Sequence, residues 1–341
     1  PRELWTCAPG DLARLAGLGG QALRDALRLR RDFDGAAAAA ALRSAGIHPV
    51  PRLDPRLPAR LADLHDPPFA LFARGRADAV LARLAEGPAV ALVGSRRPTG
   101  AGRALARTLA AELAARGAVV VSGLAHGIDA AAHEGALAAG GVTVAVLGCG
   151  VDVAYPRRNA GLAARIAERG LLLSEYWPGT PPAPWRFPAR NRIVAGLAQA
   201  VGVVEAGRRS GALITADFAL ELGRPVLAVP GWPGAEASAG CNALLRAGAA
   251  LLEDADDVVH ELPRAPWRRA GGPGAAPPPG GLPGRVHELL RREPLRADQI
   301  GAELGAEPGE VAAAIAVLEV EGLAVRGEGQ RYWAAAVPGA A

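Results

Sequence analysis

The sequence predicts an α/β protein built on a parallel, doubly wound sheet, and two observations support this fold class. Between residues 66 and 262, short apolar segments alternate with helical patterns, as in sheets whose strands are joined by helices. Glycine or serine follows most of these apolar segments, at the point where strands of such a sheet approach a ligand. The candidate strands are Ala89–Val93, Ala118–Ser122, Val142–Leu147, Leu171–Ser174, Ala200–Glu205 and Pro225–Val229. The candidate helices are Ala101–Arg116, Asp129–Ala139, Asn159–Glu168, Ile193–Ala198 and Thr215–Leu222.

A small helical domain is expected over residues 1–65. Asp11 is suited to cap a helix that begins at Leu12, and a glycine-rich turn over residues 15–20 separates it from a second helix, Gln21–Leu29. This is the form of a helix-hairpin-helix element, whose turn can offer backbone N–H groups to a DNA phosphate. A plain helical hairpin packed on its neighbour explains the same pattern, and the sequence leaves both interpretations open.

A proline- and glycine-rich segment over residues 263–283 predicts a linker, and a last small domain is expected over residues 284–341. Three helical patterns and a β-hairpin around Gly327–Gly329 predict a winged helix in that domain. The helices are Arg285–Arg292, Asp298–Leu304 and Glu307–Leu318. The third helix, which enters the major groove in DNA-binding proteins of this shape, carries no arginine. Protein contact or structural packing is therefore the expected role of this domain.

The composition restricts the class of protein. All 38 basic residues are arginine, and the formal net charge is +4, which is compatible with a nucleic-acid partner. The three cysteines lie far apart and predict neither a zinc site nor a disulfide framework. No uncharged apolar run is long enough to span a membrane, and no basic-then-apolar signal opens the chain, so a cytoplasmic protein is expected.

The most informative motif follows the first candidate strand. Gly94, Ser95, Arg96 and Arg97 come directly after it and precede a long helical pattern. A tight turn between a strand and a helix presents free N–H groups, and arginine adds planar recognition of phosphate. The sequence therefore predicts an anion pocket at this strand end.

Other strand ends repeat the pattern. Ser122 and Gly123 end the second candidate strand, and Ser210 and Gly211 follow the fifth. The carboxyl ends of parallel strands meet at one edge of a sheet, so these small residues are expected to surround one ligand.

Residues 187–192 predict contact with a single nucleic-acid strand. Phe187 is followed by Arg190, Asn191 and Arg192. In single-strand binding, an aromatic ring stacks on a base while arginines hold phosphates. The alternative is that Phe187 anchors the next helix in the core.

An enzyme active site has thinner support. His126, Asp129, His133 and Glu175 are an acid–base set by residue type, but no HExxH, GxSxG, P-loop or GxGxxG pattern accompanies them. A structural interpretation accounts for three of the four: Asp129 caps a helix, His126 lies at its start, and His133 bonds to Asp129.

The middle of the chain resembles the DNA-processing protein A (DprA/Smf) family over about residues 66–260. The motifs that carry the resemblance are Gly94-Ser95-Arg96, Ser122-Gly123 with Gly127-Ile128-Asp129, Tyr155-Pro156 with Asn159, Phe187 with Arg190-Asn191-Arg192-Ile193 and Gly196-Leu197, Glu205, Ser210-Gly211 with Thr215-Ala216, and Pro230-Gly231. The helical first segment and the last domain also fit the three-domain layout of the family.

This resemblance implies an extended Rossmann-like domain, over residues 66–262, that binds single-stranded DNA. It implies a homodimer that protects incoming strands in natural transformation and loads a RecA-type recombinase, with no catalytic activity and no metal or cofactor. The implied site comprises Gly94, Ser95, Arg96, Arg97, Ser122, Gly123, Phe187, Arg190, Asn191, Arg192, Ser210 and Gly211.

The resemblance also implies individual roles within this site. Ser95, Arg96 and the N–H groups near Gly123 would hold phosphates, and Phe187 would stack on a base. Arg190 and Arg192 would contact the DNA backbone, while Asn191 braces the loop.

The chain departs from the family pattern in three respects. Arginine stands where many relatives also use lysine, Ala212 follows Ser210-Gly211 where serine is common, and the terminal domains match in layout more than in residues.

The alternative function is that of a nucleotide phosphoribohydrolase on a related sheet, although the Pro-Gly-Gly-x-Gly-Thr loop of those enzymes is absent from residues 207–212. Val201–Val204 and Ala216–Leu222 are candidates for a dimer face.

Overall fold

The computed structural model describes residues 5–267, 281–290, 295–320, 324–326 and 331–334. The chain begins with three helices: α1 (Pro9–Ala16), α2 (Gly20–Asp32) and α3 (Gly35–Ser44). Gly17 ends α1 in the left-handed conformation, with φ 61°, which favours glycine over other residues. Asp11 lies in the first turn of α1 and pairs with Arg14, whereas Ala8 occupies the N-cap. The predicted helical hairpin therefore forms, but Asp11 does not cap it.

A nine-stranded sheet forms the centre of the molecule, in the order β1-β2-β6-β5-β4-β3-β7-β8-β9. The strands are β1 (Ile47–Pro51), β2 (Ala70–Gly75), β3 (Ala89–Val93), β4 (Val119–Ser122), β5 (Val142–Leu147), β6 (Leu171–Ser174), β7 (Ala200–Val203), β8 (Val226–Ala228) and β9 (Ala250–Leu251). The seven strands from β3 to β9 are parallel to one another. β2 runs antiparallel to β6, and β1 runs antiparallel to β2.

Helices cover both faces of this sheet, as expected for a Rossmann-like fold. Those of the sheet domain are α4 (Ala77–Glu86), α5 (Gly100–Ala115), α6 (Ile128–Ala138), α7 (Ala160–Arg169), α8 (Arg186–Leu197), α9 (Ala212–Glu221), α10 (Ala239–Arg246) and α11 (Ala255–Glu261). One core lies under α4, α8, α9 and α10. The opposite core lies under α5, α6, α7 and α11.

The strand order has one topological switch point. From β3 the chain builds outward through β4, β5 and β6, and then returns to the other side of β3 as β7, β8 and β9. Loops after β3 and β7 therefore diverge, and the gap between them is where ligands bind in open α/β sheets.

The structure differs from the sequence expectation at the boundary near residue 65. β1 lies inside the segment expected to be helical, and it pairs with β2 as the edge of the main sheet. Two of its five residues are proline, and only Ile47 and Val50 are buried, so the segment lacks the apolar pattern that reveals a strand.

The first residues of the expected linker pack on the sheet domain: Trp267 packs against the core under α5, α6 and α11, and its indole donates a hydrogen bond to the Leu262 carbonyl at 3.0 Å. Most of that segment, residues 268–280, and the expected hairpin turn at 327–329 lie outside the described residues.

The last domain is a winged helix. It contains α12 (Leu282–Leu290), β10 (Leu295–Arg296), α13 (Ala297–Leu304), α14 (Pro308–Val320), β11 (Ala324–Arg326) and β12 (Arg331–Ala334). β12 lies between β10 and β11 in a three-stranded antiparallel sheet. Val286, Ile300, Val311 and Leu318 are buried in its core. In the part of the chain that the structure describes, no helix has the length and apolar character needed to cross a membrane.

Candidate functional site

A cleft of about 1350 Å³ opens at the switch point between β3 and β7. Residues of the segments that follow β3, β4, β7 and β8, and of helices α8, α9 and α10, line it. Those from the predicted site are Gly94, Ser95, Arg96, Arg97, Gly123, Phe187, Arg190, Asn191, Ser210 and Gly211. The structure therefore brings ten of the twelve predicted residues together in one cleft.

The loop that follows β3 is fixed from both sides. The Ser95 N–H donates to the Glu205 carbonyl at 2.6 Å, and the Ser95 carbonyl accepts from the Ile128 N–H at 3.1 Å. A Cβ at Gly94 would lie only 2.6 Å from the Ile128 side chain, so the close approach needs glycine. This loop presents Arg96 and Arg97, both exposed, on one wall of the cleft.

The helix after this loop does not offer a free N-terminus, contrary to the sequence expectation. The Glu205 carboxylate accepts hydrogen bonds from the Thr99 N–H at 3.0 Å and from the Thr99 hydroxyl at 2.5 Å. Thr99 in turn caps α5 by accepting from the Gly102 N–H. An internal anion already occupies this helix start, so the Arg96 and Arg97 side chains are the anion-binding groups that remain on this wall.

The opposite wall comes from the loop after β7 and from α10. Arg208 and Arg209 are exposed there, directly before Ser210 and Gly211 at the start of α9. Arg246, at the end of α10, adds a further exposed guanidinium.

Positive charge dominates the cleft. Six arginines line it, against the two carboxylates Asp129 and Glu236. The five exposed ones are Arg96, Arg97, Arg208, Arg209 and Arg246. Within the described residues, none of these five forms an ion pair. Their charges are therefore available to a polyanion.

Arg190 forms the floor of the cleft and is only 5% exposed. Its guanidinium donates to the Gly123 carbonyl at 2.7 Å and to the Val146 carbonyl, and its Nε donates to Asn191 Oδ1 at 3.2 Å. A Cβ at Gly123 would overlap this guanidinium. Arg190 therefore connects the ends of β4 and β5, which is a bracing arrangement.

Asp129 lies beside this brace and is only 6% exposed. Its carboxylate accepts from the N–H groups of Gly123 at 3.1 Å and Ala125 at 3.2 Å. Burial raises the pKa of Asp129, while the Arg190 charge and these two N–H groups act in the opposite direction. Gly127, not Asp129, is the N-cap of α6.

Phe187 is half-buried and lies at one end of the cleft. Its ring packs over Gly148, where an added Cβ would come within 3.0 Å of Phe187 Cδ1. The Arg96 guanidinium lies 5.7 Å from the ring centroid, and the Tyr155 ring lies 5.4 Å away at an interplanar angle of 30°. An aromatic surface next to an arginine is thus present in the cleft.

Two predicted site residues lie elsewhere. Ser122 is completely buried, and its hydroxyl donates to the Leu92 carbonyl at 2.7 Å. Nη2 of Arg192 donates to both carboxylate oxygens of Glu175, at 2.7 and 2.9 Å, and Arg192 does not line the cleft. Both side chains hold elements of the fold together.

The acid–base set does not assemble either. Of its members, only Asp129 lines the cleft. Glu175 is bound to Arg192, and His133 contacts Thr143 at 2.7 Å, not Asp129 as the sequence suggested.

Several cleft residues were not predicted. Arg208 and Arg209 follow a predicted strand and immediately precede Ser210, so their position contained a usable signal. Arg246 lies on α10, which is not among the candidate helices of the sequence. Trp232 is 82% exposed between Gly231 and Pro233, both of which line the cleft.

Comparison with known proteins places the chain in one family. The family model described as DNA recombination-mediator protein A matches residues 49–263, and a model described as the DprA winged helix domain matches residues 271–330. A putative DNA processing protein DprA of Mycobacterium tuberculosis is 45% identical over 267 residues, which cover 75% of this chain and 66% of that protein. DNA processing protein DprA of Bacillus subtilis is 42% identical over 224 residues, covering 66% of this chain and 74% of that protein.

Solved structures agree with this placement. DprA from Streptococcus pneumoniae matches with a TM-score of 0.67 and 40% identity, covering 75% of this chain and 87% of that one. DprA from Helicobacter pylori, described for its single-stranded DNA binding mode, matches with a TM-score of 0.57 and 33% identity, covering 63% of this chain and 95% of that one.

The fold and the cleft define a Rossmann-like α/β protein with an arginine-lined cleft at its switch point and an attached winged helix. Together with these matches, they show that the chain belongs to the DNA recombination-mediator protein A family.

Proposed function

We propose that this protein binds single-stranded DNA in the switch-point cleft and acts as a recombination mediator. The observation that carries the proposal is the pair of arginine walls: exposed guanidiniums without ion pairs in the described chain face a cleft that also contains Phe187. Arginines hold phosphates, and an aromatic ring stacks on any base, so the site recognises a strand without reading its sequence. The single-stranded DNA binding mode described for the Helicobacter pylori relative supports the same assignment.

The test is fluorescence anisotropy with labelled oligo-dT and its duplex, across a salt series. The wild-type protein is expected to prefer the single strand, and log K is expected to fall with log salt because binding releases counterions. Arg96→Glu is expected to weaken single-strand binding by about tenfold or more, since it replaces a phosphate-binding cation by an anion.

Arg285→Glu is the matched control. Arg285 is an exposed arginine of the winged helix, so this variant has the same change in charge outside the cleft. It is expected to bind as the wild type does. Equal losses in the two variants would mean that net charge, not the cleft, determines binding.

We propose that the protein works by binding and not by catalysis. Asp129 and Glu236 are the carboxylates that line the cleft among the described residues, and Asp129 is largely buried and accepts hydrogen bonds from two backbone N–H groups. Residues 207–212 carry two arginines and no carboxylate. Release of a free base from a nucleoside monophosphate would instead support the phosphoribohydrolase alternative.

The proposal that a RecA-type recombinase is the partner rests on family membership. Because such a recombinase acts in the cytoplasm, we also propose that this protein is cytoplasmic. The measurement is the single-strand-dependent ATPase of such a recombinase on DNA coated with single-strand binding protein. This protein is expected to raise that rate, and Arg96→Glu is expected not to.

We also propose a homodimer through the face of α9. Leu220 on this helix is 57% exposed, whereas the other sequence candidate, Val201–Val204, is buried in the middle of the sheet. Leu220→Arg is expected to halve the mass measured by light scattering. Leu53→Arg, at another exposed leucine, is expected to leave that mass unchanged.

A further inference from the structure

A second groove, of about 640 Å³, lies between α7 and the two antiparallel strands β1 and β2. Its α7 side is made of small residues: Ala160, Ala163, Ala164 and Ala167. Its β1 and β2 side carries His48, Arg74 and Arg76. No residue of this groove belongs to the site predicted from the sequence.

An aromatic pair connects this groove to the cleft. Tyr155 is 43% exposed and lines the groove, and Phe187 lines the cleft. Their ring centroids are 5.4 Å apart, with planes tilted by 30°. Successive bases of one strand stack on such neighbouring rings.

The segment that carries Tyr155 is tied to the rim of the cleft. The Asn159 side-chain amide donates to the Leu124 carbonyl at 2.9 Å and to the Ala125 carbonyl at 3.2 Å. Ala125 lines the cleft, and Leu124 and Asn159 line the groove. The two cavities therefore share a fixed border.

The groove contains two guanidiniums that can hold phosphates. Arg74 and Arg76 are both exposed, and neither forms an ion pair among the described residues. The groove also contains two carboxylates, Asp152 and Glu168. Asp152 accepts a hydrogen bond from the Gly179 N–H at 2.8 Å, so this carboxylate is engaged within the protein, and Arg74 and Arg76 supply the guanidiniums of the groove.

We propose that a single strand held in the cleft continues across Phe187 and Tyr155 into this groove, where Arg74 and Arg76 bind its phosphates. The inference rests on the proposed function, because it extends the path of the same strand. It assigns the groove to the part of the strand beyond Phe187, so only strands longer than the cleft reach it.

Strand length separates the two sites experimentally. Anisotropy is measured with labelled oligo-dT of about 5 and about 16 nucleotides, within the usual range of single-strand site sizes. The variant is Arg74→Glu combined with Arg76→Glu. The matched control is Arg165→Glu combined with Arg169→Glu, because both residues are exposed on α7 and neither lines the groove.

The groove variant is expected to bind the short strand as the wild type does and to bind the long strand about tenfold more weakly. Its salt slope for the long strand is expected to be smaller by about 1.4, the value for two lost phosphate contacts on a single strand. Tyr155→Leu is expected to weaken only the long strand as well. The control is expected to match the wild type with both strands.

Equal binding of the long strand by the groove variant and the wild type would overturn the inference. So would equal weakening of both strands, or the same loss in the control. Failure of the proposed function looks different: wild-type protein would then bind neither strand, or Arg96→Glu would bind the short strand normally.

Discussion

Arg190 holds the ends of two strands together from beneath the cleft. Replacing it by lysine keeps the positive charge but removes the planar group that reaches the Gly123 and Val146 carbonyls and Asn191. We expect Arg190→Lys to lower the free energy of unfolding by about 2 to 3 kcal/mol, because buried acceptors lose charged donors. Urea denaturation measures this change.

Arg96→Glu provides the comparison for that prediction. Arg96 is exposed and bonds to no carbonyl among the described residues, so this variant is expected to keep its stability within about 0.5 kcal/mol while losing DNA affinity. A variant at Arg190 that unfolds like the wild type and fails only in DNA binding would contradict the bracing role.

His133 makes the fold sensitive to acid. The Thr143 hydroxyl donates to the Val120 carbonyl, so it accepts from His133 Nδ1–H, and Nε2 is left buried without a partner. Burial, assisted by the Arg190 charge, lowers the pKa of His133 to about 3. The unfolded chain has a histidine pKa near 6.5. Between about pH 6.5 and 3 it therefore binds a proton that the folded chain does not bind.

The free energy of unfolding is accordingly expected to fall as the pH falls through that window. Between about pH 7 and about pH 5 the His133 contribution is about 2 kcal/mol. His133→Asn keeps an N–H donor near Thr143 and is expected to reduce the pH dependence by that amount. His126→Asn, at an exposed histidine, is expected to leave the dependence unchanged. If acidification lowers the free energy of unfolding equally in His133→Asn and in the wild type, this account is contradicted.

The residue types of the site were readable from the sequence, but the directions of their side chains were not. Phe187, Arg190 and Asn191 lie at i, i+3 and i+4 on α8 and so share the face that lines the cleft. Arg192 lies at i+5 and points to Glu175. The helix was expected to begin only at Ile193, so this periodicity could not be applied to residues 186–192.

At the scale of elements, a row of aromatic rings attaches the first helices to the sheet. The Trp177 ring lies 6.2 Å from Phe33, at the end of α2, and 5.0 Å from Phe72 on β2. Trp5 adds a contact to Phe33 at 5.7 Å. Trp177 therefore bridges the helical segment and the edge of the sheet.

Removing this bridge is expected to loosen the first helices. Each aromatic pair contributes about 1 kcal/mol, so Trp177→Ala is expected to cost about 2 kcal/mol and to speed proteolysis within residues 5–46. Trp232 is an exposed tryptophan with no ring contact in the described chain, so Trp232→Ala is expected to change the free energy of unfolding by no more than about 0.5 kcal/mol. Unchanged proteolysis in Trp177→Ala would show that other contacts attach these helices.

The elements that the sequence predicted well are those buried on both faces. The predicted strands Ala89–Val93, Val142–Leu147 and Leu171–Ser174 are confirmed with the same bounds, because central parallel strands are continuous apolar segments. The strands of the main sheet that were not predicted are β1, β2 and β9: β1 and β9 are its edges, with two prolines in β1 and only two residues in β9, and β2 lies next to β1. Edge strands need few buried side chains, so their patterns are weak.

At the scale of the whole molecule, the cleft depends on contributions from distant parts of the chain. Arg96 follows β3, Phe187 starts α8, and Arg208 follows β7; the switch in strand order brings the three together. Each segment could be recognised in the sequence, and a parallel sheet predicts that such segments meet at one edge. The free charge of the cleft could not be predicted, because it depends on which arginines find a carboxylate, such as Arg192 with Glu175.

The most direct measurement is photochemical crosslinking of oligo-dT in which some thymines are replaced by iodouracil, with the modified peptides mapped by mass spectrometry. A base stacked on an aromatic ring crosslinks to it, so the account predicts crosslinks at Phe187, extending to Tyr155 with long strands. At a protein concentration below the dissociation constant of the variant, Arg96→Glu is expected to reduce these crosslinks strongly. Crosslinks confined to the winged helix, for example at Tyr332, with Phe187 unmodified, would contradict the account.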